Sequence, residues 1–113
     1  MTKGPLRRFP RIRSTQPVRV RLLGSDEVEE FGATKVIGLG GCSFGSRRRF
    51  GAGTLVELQI PLRGGMVNAD GRVVYELAHA GGELEVGVEF LRVSPRHLTR
   101  IRALLAAEEP AGS

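Results

Sequence analysis

The sequence holds one cysteine, Cys42, no tryptophan, one tyrosine and two histidines, and each shortage removes a class of chemistry. A single thiol builds neither an intramolecular disulfide nor a cysteine zinc site, and a lone cysteine is more often a small buried hydrophobe than a nucleophile. With one Tyr and five Phe as its only aromatics, the chain has little on which to stack single-stranded bases. His79 falls in a turn and His97 near a helix start, far apart and without carboxylates at metal-ligand spacing. Both read as surface residues, so neither a catalytic site nor a metal site is expected and the chain does not read as an enzyme. The start "MTKGPLRR" leads into no long apolar run, and no segment reaches the roughly 18 apolar residues of a membrane span. Membrane insertion is not expected, and the chain reads as cytoplasmic.

Lysine is scarce too. Of the 17 basic residues only Lys3 and Lys35 are lysines, and the other 15 are arginines, for a formal net charge of +5. Arginine presents a rigid planar fork that meets phosphates and guanine edges bidentately, where lysine is a mobile point charge. Seven cations precede residue 22, and a second cluster is Arg47-Arg48-Arg49. This distribution suggests an anionic partner, set against the plainer reading of a solvated basic surface. At 113 residues, 41% of them hydrophobic, the chain has the size and balance of one globular domain.

Along the chain, residues 1 to 16 are basic, carry Pro5 and Pro10, and follow no helical or strand period, so they read as a loop or arm. "PVRVRLL" alternates Val18, Val20 and Leu22 with Arg19 and Arg21, the period of a half-buried strand. "GSDEVEEFGA" reads as an acidic turn. "ATKVIGLGGCSFGS" reads as strand, sharp bend and strand, with glycine where the backbone needs close approach. "TLVELQIP" puts Val56, Leu58 and Ile60 on one face of a further strand. "MVNADGRVVYELA" fits either a hairpin at Asp70-Gly71 or one long strand with a bulge. "LEVGVEFLRV" is the clearest strand.

Ser94 and Pro95 then supply an N-cap and a first-turn proline. Leu98, Ile101, Leu104 and Leu105 follow at helical spacing, which predicts one amphipathic helix over about 95–108. Short strands at regular spacing with a terminal helix suggest an antiparallel barrel with the helix packed on it.

Two motif readings fail on context. "GLGGCSFG" is not the G-x-S-x-G elbow, and it lacks both the Lys-Ser/Thr ending and the following helix of a phosphate-binding P-loop. The stretch "RRFPR" is sharper. Pro10 restricts Phe9 to extended torsions, and a loop held beside a barrel would bring Arg7, Arg8 and Arg11 around a compact dianion.

On these residues the chain resembles a stand-alone PilZ domain, the receptor module for the bacterial second messenger cyclic di-GMP. The resemblance covers roughly residues 6 to 106. It rests on "RRFPR" as the family's R-x-x-x-R arm directly before the first strand, the glycine-rich bend, "GRVVY", "VGVEF" and the closing helix. It implies an all-β, six-stranded antiparallel barrel of split-barrel type with a C-terminal α-helix. The domains expected are a basic arm at 1–13, a barrel at 14–108 and a flexible tail at 109–113.

The resemblance further implies that Arg7 and Arg11 contact phosphates and guanine edges of cyclic di-GMP, with Arg8 as an extra arginine beside them. The ligand is the one small molecule implied, with no other cofactor. An unidentified partner protein would sense the change, as in motility regulation, while nucleic acid is disfavoured as a partner. The family's second motif, [D/N]-x-S-x-x-G, aligns with "VIGLGG", which puts Gly41 on the final glycine, Gly38 on the Ser position and Val36 on the Asp/Asn position. Gly38 and Gly41 complete the expected binding set. Two polar contacts are missing, and at ~1 to 3 kcal/mol each the pair amounts to on the order of 30-fold to 10⁴-fold in affinity. An adaptor that kept the barrel and lost the nucleotide is the alternative reading. Arg47, Arg48, Arg49, Ser43 and Ser46 stand as candidate compensating groups.

Overall fold

The computed structural model describes residues 11–108. Arg7, Arg8 and the tail at 109–113 lie outside the described residues. Seven strands and a helix follow in order: β1 (Arg11–Arg13), β2 (Pro17–Leu22), β3 (Val28–Gly38), β4 (Gly41–Ser46), β5 (Leu55–Leu62), β6 (Gly65–Ala78), β7 (Leu84–Val93) and α1 (Pro95–Glu108). Strands β3, β2, β5, β6, β7 and β4 pair antiparallel in that sequence, and β4 pairs back onto β3 to close a six-stranded barrel. Closure leaves the barrel without a free edge. Strand β1 is an addition outside the six, laid antiparallel on the end of β3.

Strands β1 and β2 form one interrupted strand along the same side of β3, and Thr34 clasps the interruption. Its buried hydroxyl donates to the Ser14 carbonyl and accepts the Gln16 N–H at 2.8 Å. The backbone continues the ladder on both sides, Ser14 N–H to Lys35 O at 3.1 Å and Thr34 N–H to Gln16 O at 2.8 Å. Two sequence expectations are corrected here. Arg11–Arg13 is strand rather than loop, because β3 runs far enough to offer it partners at Val36 to Gly38. The acidic stretch is a turn only as far as Glu27, and from Val28 it pairs with β2. Its glutamates hid the strand, since Phe31 faces solvent and the segment carries little apolar alternation.

The core is built by period-2 burial. Val56, Leu58 and Ile60 of β5, Val67 and Val73 of β6, and Val86 and Val88 of β7 point inward with Val20, Ile37 and Phe44. Segment 65–78 is one long strand, the second of the two readings of Asp70-Gly71. The register shift beside Gly71 is absorbed on β7, where Leu91 is the extra residue and is left exposed. A second shift, at Val74, has a larger effect. Val73 sits opposite Val88 and Tyr75 opposite Gly87, so the extra residue turns Tyr75 from the core to the outer face, as a bulge re-aims a side chain.

The ends of the barrel are sealed differently. Helix α1 lays Ile101, Leu104 and Leu105 against the core. It is capped by the Ser94 hydroxyl, which accepts the His97 N–H at 3.4 Å, and tied to the start of β6 by Arg100, which donates to Met66 O at 2.8 Å. At the far end of β6, the loop after β4 brings Phe50 edge-on to Phe44 at 6.0 Å, and Glu76 accepts the Phe50 N–H at 2.6 Å.

Candidate ligand site on the outer face of the barrel

Strand register places the candidate residues in rows across the outer face. Arg11 lies opposite Gly38, and Arg13 opposite Val36. The second of these rows continues through Ser43, which faces Val36 on one side and Gly87 on the other, and ends at Tyr75. Arg11, Val36, Gly38, Gly41, Cys42, Ser43 and Tyr75 line one recess. The structure therefore brings together Arg11, Gly38 and Gly41 of the expected set, along with Val36. Arg7 and Arg8 fall outside the described residues. Gly38 and Gly41 leave their part of the recess lining without side chains. A Cβ at Gly87 would overlap the Tyr75 ring, so glycine there is what lets the ring lie against the sheet.

Around Tyr75 runs a polar chain absent from the sequence expectation. The Tyr75 hydroxyl donates to Glu85 Oε2 at 3.3 Å, and His79 Nε2 meets Glu85 Oε1 at 3.1 Å. The Ser43 hydroxyl sits beside both, buried, and makes no hydrogen bond of ordinary geometry. Burial and then the neighbouring Glu85 charge raise the Tyr75 pKa, with Arg11 opposing. Burial pushes Glu85 upward, but the bonds from His79 and Tyr75, with the Ser43 hydroxyl beside them, outweigh it and hold the carboxyl below its ordinary value. Glu85 is thus an anion at neutral pH, and the hydroxyls around it are oriented by that charge.

The recess has a volume of about 10 Å³, room for about one water. The opening is polarised: Arg11 supplies positive charge at the Gly38 end, and Glu85 supplies acceptors two residues along β7 from Gly87, about 7 Å further.

Of the compensating groups considered from sequence, only Ser43 reaches this recess. Arg47, Arg48 and Arg49 follow the end of β4 remote from Gly41, about 20 Å away along an extended strand, and the guanidinium groups of Arg48 and Arg49 are engaged locally. Arg48 pairs with Glu29 and stacks over the Phe50 ring at 4.6 Å. Arg49 lies 3.4 Å from the Glu76 carboxylate, and the Arg47 N–H donates to Glu30 at 3.2 Å. Ser46 is spent on the Arg48 backbone, donating to its carbonyl at 2.8 Å and accepting its N–H at 3.0 Å. Cys42 borders the recess but is buried, and burial alone pushes its thiol up to about 12. His97 is engaged with the backbone of Asn68, whose N–H it accepts at 3.1 Å. Among the described residues no group of three or more His, Cys, Asp or Glu is arranged to hold a metal ion, and no helix is long and apolar enough to cross a membrane.

The PilZ domain family model matches residues 5–107. No curated protein matches the sequence. Among solved structures, the chain is similar to the Bacillus subtilis inhibitor of motility MotI/DgrA, with a TM-score of 0.74, 13% identity, and coverage of 96% of this chain and 55% of that one. It therefore spans about half the length of that neighbour. It is also similar to the PilZ domain of CeSA from a cellulose-synthesizing bacterium, with a TM-score of 0.63, 17% identity, and coverage of 87% and 96%. The PilZ domain of YcgR from Escherichia coli, solved with c-di-GMP, gives 0.67, 13% identity, and 88% of both chains. At these identities the likeness shows the fold.

Proposed function

The chain belongs to the PilZ domain family, and from that premise we propose that it is a signalling module that binds cyclic di-GMP over the recess on its outer face. Arg11 holds a phosphate or a guanine O6/N7 edge, and Arg7 and Arg8 of the same arm complete the grip. The observation that carries the reading is that Arg11 and the second-motif positions Val36, Gly38 and Gly41, 25 or more residues away in sequence, line one recess. The neighbour solved with c-di-GMP shares this barrel, which supports the choice of ligand. Binding would alter the surface offered to a partner protein.

The expected result of titrating the full chain with cyclic di-GMP is saturable binding, limited by the polar motif groups that Val36 and Gly38 lack, and weakened a further roughly 10- to 150-fold by Arg11→Ala. Absence of binding at millimolar ligand would contradict the receptor reading. It would favour the second reading, a protein-interaction adaptor, for which the bare backbone at Gly38 is the motivating observation.

A further inference from the structure

We infer that the Tyr75–Glu85 pair is a base-reading element, which accepts hydrogen bonds from the N1–H and 2-amino donors of one guanine and so selects guanine over adenine. The inference rests on the receptor reading above and extends it to residues outside both family motifs.

A carboxylate has about four lone-pair sites and no donor when ionised. Tyr75 takes one site on Oε2 and His79 one on Oε1, which leaves acceptor capacity on both oxygens. The side chain is 18% exposed, so those lone pairs are reachable. Among the described residues Glu85 carries no cationic partner from the arm strand; a hydroxyl and an imidazole bond it and fix its orientation. The bulge at Val74 and the bare Gly87 are what bring Tyr75 here at all. The ring then covers Gly87 with its hydroxyl directed along β7 toward Glu85, a position that packing alone does not require.

An acceptor-only group on the same face as an anion-binding arginine, but at the other end of the Tyr75 ring, fits poorly to a second phosphate, which it would repel. It fits a ligand that carries phosphate at one end and two adjacent N–H donors at the other. Guanine offers that pair on its Watson–Crick edge, at N1 and the 2-amino group. Adenine offers a lone pair at N1 and no 2-amino group, so the same carboxylate would meet one acceptor head-on. Sites built to bond a donor pair reject the analogue lacking it far more strongly than sites that sense shape.

The test is calorimetric titration of the full chain, Glu85→Gln and Tyr75→Phe with cyclic di-GMP and with its adenine analogue, cyclic di-AMP. Gln keeps the size of Glu and replaces one acceptor by a donor. The expected result is a loss of cyclic di-GMP affinity of about 10- to 100-fold in Glu85→Gln, little change for cyclic di-AMP, and hence a collapse of the preference. Tyr75→Phe, in which the carboxylate remains but is no longer oriented, should lower the preference by a smaller factor. The ratio between the two ligands is the readout that general loosening of the barrel would not move. A wild-type chain that binds cyclic di-GMP, with the preference unchanged within twofold in both variants, would overturn the inference and leave the receptor reading standing. A wild-type chain that binds neither ligand would overturn both.

Discussion

Two arginine clusters stand out in this sequence, and the structure treats them in opposite ways. Arg11 lies across from Gly38 and lines a recess with it and Gly41. The run Arg47-Arg48-Arg49 holds more charge in fewer residues, yet it serves the barrel: Glu29 and Phe50 take Arg48, and Glu76 takes Arg49. Charge density alone therefore does not mark a binding site. What distinguishes Arg48 and Arg49 from Arg11 is that a carboxylate already faces each guanidinium.

The comparison can be broken most forcefully at Arg11. Arg11→Ala should weaken cyclic di-GMP binding by roughly 10- to 150-fold, from about 1.5 to 3 kcal/mol for a charge-assisted contact, with the melting temperature essentially unchanged. Calorimetry and thermal melting on the same samples check both halves. The next effect belongs to the hinge between arm and barrel. Thr34→Val keeps the shape of the side chain but leaves Gln16 N–H and Ser14 O without their partner, at a cost of about 1 to 3 kcal/mol in denaturant unfolding. Because that clasp seats β1 on β3, ligand affinity should fall with it.

Arg48→Ala is the mirror of Arg11→Ala: a stability loss of about 1 kcal/mol, from the ion pair and the stacking on Phe50, with binding unaffected. Smallest is the pH effect of Glu85. Its folded pKa is depressed, so its stabilisation is fully present above the unfolded value, near 4.5, and is lost as pH falls through the folded one. The difference in stability between the native chain and Glu85→Gln should accordingly shrink as pH drops below the ordinary carboxylate range, which unfolding curves at stepped pH would reveal.

Much of this was legible in the sequence, for physical reasons that differ by element. Strands β5 and β7 bury one face each, so their period-2 pattern is plain, and Ser94-Pro95 marks the start of α1 at the observed residue. Strand β3 was half hidden because Glu29 and Glu30 stand among its first residues and its outer face carries Phe31 in solvent. β1 was hidden because its three residues are specified by a partner strand that lies 25 residues on. At the candidate site, Arg11, Gly38 and Gly41 could be grouped from motif spacing. Tyr75 could not, because on simple alternation it belongs to the core face with Val73, and only the extra residue at Val74 turns it outward. Glu85 was passed over as the polar half of an alternating strand. The one available signal was Gly87 in the middle of "LEVGVEF", a glycine in a strand interior that marks close approach by another group.

The most direct test of the contrast between the two clusters is a two-dimensional amide NMR titration of the full chain with cyclic di-GMP. The expected result is that shifts concentrate at Arg11–Arg13, Val36–Ser43 and Tyr75, while Arg47–Phe50 stays in place. Perturbations centred on Arg47–Phe50 with the recess silent would contradict it.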